Sequence, residues 1–198
     1  GKQNGDEYSP SNKVFLIDFS NSFNPQIKEL KSMNFARSNG NATIMPDGNI
    51  FLNGGTSLSD FEFSVFTPEI YNPNTQTTTE MSNAYFRRNY HSSSLLLPDG
   101  RILTAGGDVW NAEIFYPPYL FTKDINNKTV LAKRPKIVNL EKKIKRGEKV
   151  QIEVNGEISK VSLISTGSTT HAQGSESKFR NLNFTKISKN TIEIELDN

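Results

Sequence analysis

The stretch "LLLPDGRILTAGG" (residues 95–107) reads as an apolar strand, a tight turn, a second apolar strand and paired glycines. Pro98 sets φ at the turn entry, and Gly100 supplies the position with φ > 0. The glycine pair lets the chain bend where a side chain would clash. One such hairpin says little. It decides the fold because "TIMPDGNIFLNGG" (43–55) lines up with it. The turn prolines are 52 positions apart (98 less 46), and so are the glycine pairs (106 less 54). Downstream, "PEIYNP" (68–73) matches "AEIFYP" (112–117) at an offset of 44 (113 less 69). The first unit therefore carries about eight extra residues around "SLSDFEFSVF". Upstream, the units begin near Met33 and Met81.

Period, paired glycines and a glutamate-aromatic strand indicate kelch-type blades of a β-propeller. Two blades are expected, at about 33–80 and 81–120, and "NKVFLIDFS" (12–20) reads as the last strand of an earlier one. Two blades alone leave open edges, so further blades are expected upstream of Gly1. From about Arg134 the glycine period disappears. Val150, Ile152 and Val154 alternate, as do Val161 and Leu163, and "RGE" and "NGE" punctuate the run. This is the pattern of an immunoglobulin-like sandwich of about seven strands. Space for about four is expected before Asn198, ending in "NTIEIELD", which makes this second domain incomplete. The predicted fold is all-β: a partial kelch-type propeller over residues 1–132, then an immunoglobulin-like β-sandwich over 133–198, which the family resemblance given below makes an early-set domain.

Composition narrows the function. A formal net charge of +2 over 198 residues gives no general attraction to nucleic acid or to membranes. No apolar run approaches the roughly 18 residues of a membrane span. The basic segment 133–149 reads as a solvated strand edge guarded by lysines, without the aromatic partners that nucleic acid requires. Cysteine is absent, which excludes disulfides, thiolate metal sites and thiol nucleophiles within this sequence.

Histidine occurs twice, at His91 and His171. Tyr90 and His91 stand where the first strand of the second hairpin begins. Counted back from the turn proline, their counterparts in the first unit are Ser38 and Asn39, so the repeat scaffold does not require Tyr-His. His171 lies in "STGSTTHAQGSES" (165–177), which reads as a long polar loop. Imidazole nitrogens with phenolate oxygen suit copper(II), and imidazole also binds zinc, iron and nickel. No HxH or HxxxH pair fixes two ligands locally. A hydrogen-bonded strand histidine and a solvated loop histidine therefore stay open beside a metal site. Trp110, after Gly-Gly-Asp, reads as packing within its blade, and Arg88 as a surface charge or a support for the site.

"RNYHSSSLLLPDGRILTAGGD", "NAEIFYPPYLF", "RPKI" and "VSLISTGSTTH" together resemble the galactose oxidase and glyoxal oxidase family of copper radical oxidases. The resemblance spans roughly residues 30 to 198. Its specific parts are Arg88, Tyr90, His91 and Ser92, then Gly167, Ser168, Thr170 and His171. It implies a copper ion held by Tyr90 as axial ligand and base, by His91 and by His171. It also implies a tyrosine cross-linked to cysteine, which carries the radical and is expected upstream, outside this sequence. The run "AQGSESKFR" after His171 is longer than the family's and lacks its Asp-Gln, with Arg180 in the place of its arginine. The implied reaction oxidises a primary alcohol or aldehyde, including carbohydrate, and reduces O2 to H2O2. Secretion is implied by the resemblance alone. The other open reading is a non-catalytic kelch and early-set module that binds glycan or protein.

Overall fold

The structure is a computed structural model that describes residues 10–58, 61–140, 144–170, 173–175 and 177–196. Among these residues every regular element is a strand, apart from single 3-10 turns at Phe61–Phe63 and Pro118–Leu120. The chain divides into two compact units. One comprises Gly1–Pro117 with Thr166–Ser177, the other Pro118–Ser165 with Lys178–Asn198.

In the first unit, β1 (Val14–Asp18) and β2 (Gln26–Leu30) form an antiparallel hairpin. Phe15, Leu16, Ile17 and Ile27 are all exposed on it. A four-stranded meander follows: β3 (Asn41–Ile44), β4 (Ile50–Asn53), β5 (Glu69–Asn72) and β6 (Thr77–Glu80), hydrogen-bonded in that order. The second repeat makes a three-stranded meander of β7 (Ser92–Leu96), β8 (Ile102–Gly106) and β9 (Glu113–Phe115).

The hairpin turns of both repeats are built alike. Gly48 and Gly100 have φ of 86° and 83°. Their N–H groups donate to the carbonyls of Met45 and Leu97, and Asp47 and Asp99 each accept from the amide two residues on. This is a tight turn closed by a left-handed glycine, which the twist of antiparallel strands favours. Phe51 of β4 stacks on Phe115 of β9 with ring centroids 4.3 Å apart, tying the two meanders together. Beside it Met45, Tyr71 and Ile102 are buried. A polar seam also joins them: Asn41 Nδ2 donates to Ser92 Oγ at 2.8 Å, and Thr43 Oγ1 to Ser94 Oγ at 2.8 Å.

In the second unit, β10 (Phe121–Lys123) and β11 (Thr129–Leu131) form a short hairpin, followed by β12 (Lys136–Asn139), β13 (Lys149–Asn155) and β14 (Val161–Ile164). The chain then makes the hairpin β15 (Ser168–Thr170) and β16 (Gln173–Ser175), which belongs with the first unit and lies beside β7 and β3. It returns as β17 (Phe179–Leu182), β18 (Phe184–Lys186) and β19 (Thr191–Glu195). One sheet has the order β12-β13-β19-β18 and the other pairs β14 with β17. β13 alternates exposed and buried residues along its whole length, so Val150, Ile152 and Val154 meet Leu182, Ile192 and Ile194 in one core. Each such buried side chain contributes on the order of 2 kcal/mol of apolar burial.

Three sequence expectations need correction, and one strand had no expectation. From Arg134 on, six strands, not about four, build the two sheets β12-β13-β19-β18 and β14-β17 of the second unit. The polar run at 165–177 carries a hairpin rather than only a loop: Ser168, Thr169 and Thr170 pair with Ser175, Gly174 and Gln173, and threonine favours extended backbone. The segment "QIKEL" went unrecognised as β2 because its residues are mostly polar. Leu163 is half-exposed and lies outside the core that Val161 and the β13 residues share.

Candidate functional site

Tyr90 and His91 occupy the two central positions of a turn closed by the Ser92 N–H donating to the Asn89 carbonyl at 3.0 Å. His91 has φ of 63°, in the left-handed region. Few residues other than glycine enter that region, and asparagine, aspartate and histidine are the ones enriched there. In the first repeat Asn39 has φ of 56°. The left-handed positions lie 52 apart (91 less 39), matching the turn prolines. The arginines that precede them lie only 51 apart (88 less 37). The second repeat thus holds one extra residue between its arginine and its left-handed position. That residue is taken up in the Tyr-His turn.

The turn is exposed while its base is buried. Tyr90 is 44% exposed and His91 is exposed, whereas Arg88 and Asn89 are 1% and 2% exposed. The Tyr90 and His91 rings lie side by side, with centroids 3.8 Å apart and planes tilted by 30°. The His91 carbonyl accepts from the Gly107 N–H at 3.2 Å. Asn89 Nδ2 donates to Ser64 Oγ at 2.9 Å, which ties the turn to the residues that lengthen the first repeat.

Arg88 is not a surface charge. Its Nη1 donates to the Gly106 carbonyl at 3.3 Å, and its Nη2 lies 3.5 Å from Glu113 Oε2. Burial pulls its guanidinium below the ordinary arginine value, and the charge of Glu113 opposes that shift. Glu113 in turn accepts from the backbone amides of Tyr85 and Phe86 at 2.7 and 3.2 Å. The sequence signal for this pair was a second copy of it, Arg37 with Glu69.

His171 lies outside the described residues, as does Ala172; together they connect β15 to β16. Trp110 was expected to pack within its repeat, yet its indole is wholly exposed. It follows the flexible glycine pair in a segment without strand pairing, so nothing in the hairpin draws it inward. Among the described residues no group of three or more His, Cys, Asp or Glu side chains could hold a metal ion.

Comparison with known proteins decides the lineage. Residues 134–198 match the family described as "Galactose oxidase-like, Early set domain". A galactose oxidase of Gibberella zeae is 36% identical over 174 residues, covering 82% of this chain and 25% of that protein. An aldehyde oxidase GLOX of Vitis pseudoreticulata is 27% identical over 165 residues, covering 73% of this chain and 31% of that one. The chain belongs to the galactose oxidase and glyoxal oxidase family. Among solved structures, a fungal alcohol oxidase of the AA5 family in complex with copper superposes with a TM-score of 0.84. The identity is 24%, over 96% of this chain and 42% of that one, so this likeness speaks for the fold. The chain spans about a quarter of the length of its galactose oxidase relative.

For a member of this family the donor set at the turn fits the metal. A phenol oxygen and an imidazole nitrogen on neighbouring residues are ligand types that copper(II) accepts. Both residues are exposed, on a turn whose preceding residues, Arg88 and Asn89, are buried.

Proposed function

We propose that the protein is a copper radical oxidase that converts a primary alcohol to an aldehyde, or the hydrate of an aldehyde to an acid, while O2 is reduced to H2O2. The observation that carries this is the Tyr90–His91 turn. The repeat scaffold explains a left-handed residue there but not a phenol beside an imidazole, since the first repeat has Asn39 in the same conformation. In this reading the two meanders are blades of a kelch propeller over residues 1–132, and residues 133–198 form the early-set domain. His171 is supplied by the β15–β16 hairpin.

Each residue has a separate task. His91 and His171 are neutral imidazole ligands, and the phenol oxygen of Tyr90 is the third. When bound, copper would accept one electron of each two-electron oxidation, and a cysteine-linked tyrosine elsewhere in the protein the other. Tyr90 takes the proton that leaves the substrate hydroxyl. A phenol is too weak an acid to serve this way at neutral pH unless a nearby cation stabilises its anion. The buried base of the turn fixes where that oxygen stands, so reorganisation at the moment of transfer is small. O2 and a small alcohol, aldehyde or carbohydrate are the partners.

The test is made on the protein expressed from its complete reading frame. One copper per protein is expected after reconstitution. Tyr90→Phe and His171→Ala should each abolish turnover while the circular dichroism spectrum stays that of the parent. Absence of stoichiometric copper would overturn the reading and favour a non-catalytic binding module.

A further inference from the structure

We propose that the buried Arg88–Asn89 segment is a positioning strut for Tyr90 and His91, seated on the glycine pair of the preceding meander. This rests on the copper reading above.

The two glycine pairs look equivalent in sequence but face different neighbours. Gly54 and Gly55 have φ of 66° and 84°, and Gly106 and Gly107 of 75° each. A Cβ on Gly55 would collide with Ser38 and Gly40, inside its own repeat. A Cβ on Gly54 would land on the carbonyl oxygen and Cβ of Arg88, in the next repeat. The Gly55 N–H donates to that same Arg88 carbonyl at 2.7 Å. From the other side, a Cβ on Gly106 would stand 2.9 Å from the His91 carbonyl oxygen, and the Arg88 guanidinium reaches the Gly106 carbonyl. Ser64 holds the Asn89 side chain. The backbone from Arg88 to His91 is therefore wedged between two glycine pairs and tied at one side chain. Any atom added at Gly54 must displace Arg88, and the turn that hangs from it moves too. Close-packed contacts of this kind transmit displacement rather than absorb it.

Positioning differs from plain stability, and three variants separate them. Gly54→Ala presses on the strut. Ser64→Ala releases Asn89 and changes no backbone. Gly48→Ala places backbone strain alone at the far end of the first hairpin, where φ is 86°, away from the turn. Copper affinity, the copper(II) EPR spectrum and the melting temperature are measured on the complete protein. Gly54→Ala is expected to weaken copper binding tenfold or more and to change the EPR parameters. Ser64→Ala is expected to weaken it a few-fold with an altered spectrum and a modestly lower melting temperature, because the buried Asn89 amide loses its acceptor. Gly48→Ala should melt earlier with the parent spectrum. If Gly54→Ala does not fold, Ser64→Ala decides: parental affinity and spectrum in that variant overturn the proposal. Parental spectra in both Gly54→Ala and Ser64→Ala overturn it while the oxidase reading stands. A wild-type protein that takes up no copper overturns both.

Discussion

Each repeat contains one arginine–glutamate pair, and the two are not equally closed. Arg37 Nη2 reaches Glu69 Oε2 at 2.9 Å, and the two side chains are 4% and 0% exposed. Arg88 and Glu113 are 3.5 Å apart, and Glu113 is 24% exposed. Both glutamates accept two backbone amides from the chain before the arginine, Asn34 and Phe35 in one repeat, Tyr85 and Phe86 in the other. Both arginines donate to the first glycine carbonyl of their own pair, Gly54 or Gly106. The same device is thus a sealed structural lock in the first repeat. In the second it is looser, and it stands directly beneath the Tyr-His turn.

Removing the closed pair should cost most. Arg37→Ala leaves the Glu69 carboxylate buried without its cation, and a loss of about 3–5 kcal/mol is expected in urea unfolding of the complete protein. Equal sensitivity of the two pairs would remove the contrast. The equivalent Arg88→Ala should lose less, about 1–3 kcal/mol, because solvent already reaches the Glu113 carboxylate, which keeps its two backbone amides. The wholly exposed Trp110 serves as the baseline. Trp110→Ser should lie within about 0.5 kcal/mol of the parent.

The smallest effect is expected at Asp18, a fully exposed carboxylate. Hydrogen bonds from Ser20 hold its pKa below the ordinary aspartate value. A depressed folded value means that its stabilisation is present above the unfolded pKa and is lost as pH falls through the folded one. Asp18→Asn should therefore lower stability slightly at neutral pH, and the difference from the parent should vanish as the pH falls through the acid limb. A melting-temperature series from pH 2 to 7 measures this.

Much of this contrast was legible in the chain, and its limits have physical causes. The hairpins could be read because Pro, Asp and Gly at fixed places leave the turn little freedom. Tyr90 and His91 could be singled out because the first repeat lacks them. The extra residue before His91 escaped notice because counting from the turn prolines keeps register through the hairpin and hides an insertion just ahead of it. Arg88 read as a surface charge because a lone arginine usually is one; only its partner, 25 residues away (113 less 88), explains its burial. The exposure of Trp110 contradicts composition, since a large indole is ordinarily buried. The β15–β16 hairpin was hidden by a run of small polar residues with no apolar face.

The left-handed backbone at His91 also restricts which replacements can be interpreted. A branched or bulky residue there would remove the imidazole and force the turn open together, so a lost signal would have two causes. Asn39 shows that asparagine already holds this conformation in the same molecule. His91→Asn is therefore the substitution that deletes the donor atom and keeps the geometry, and it is the clean reference against which any engineered ligand at this position should be judged.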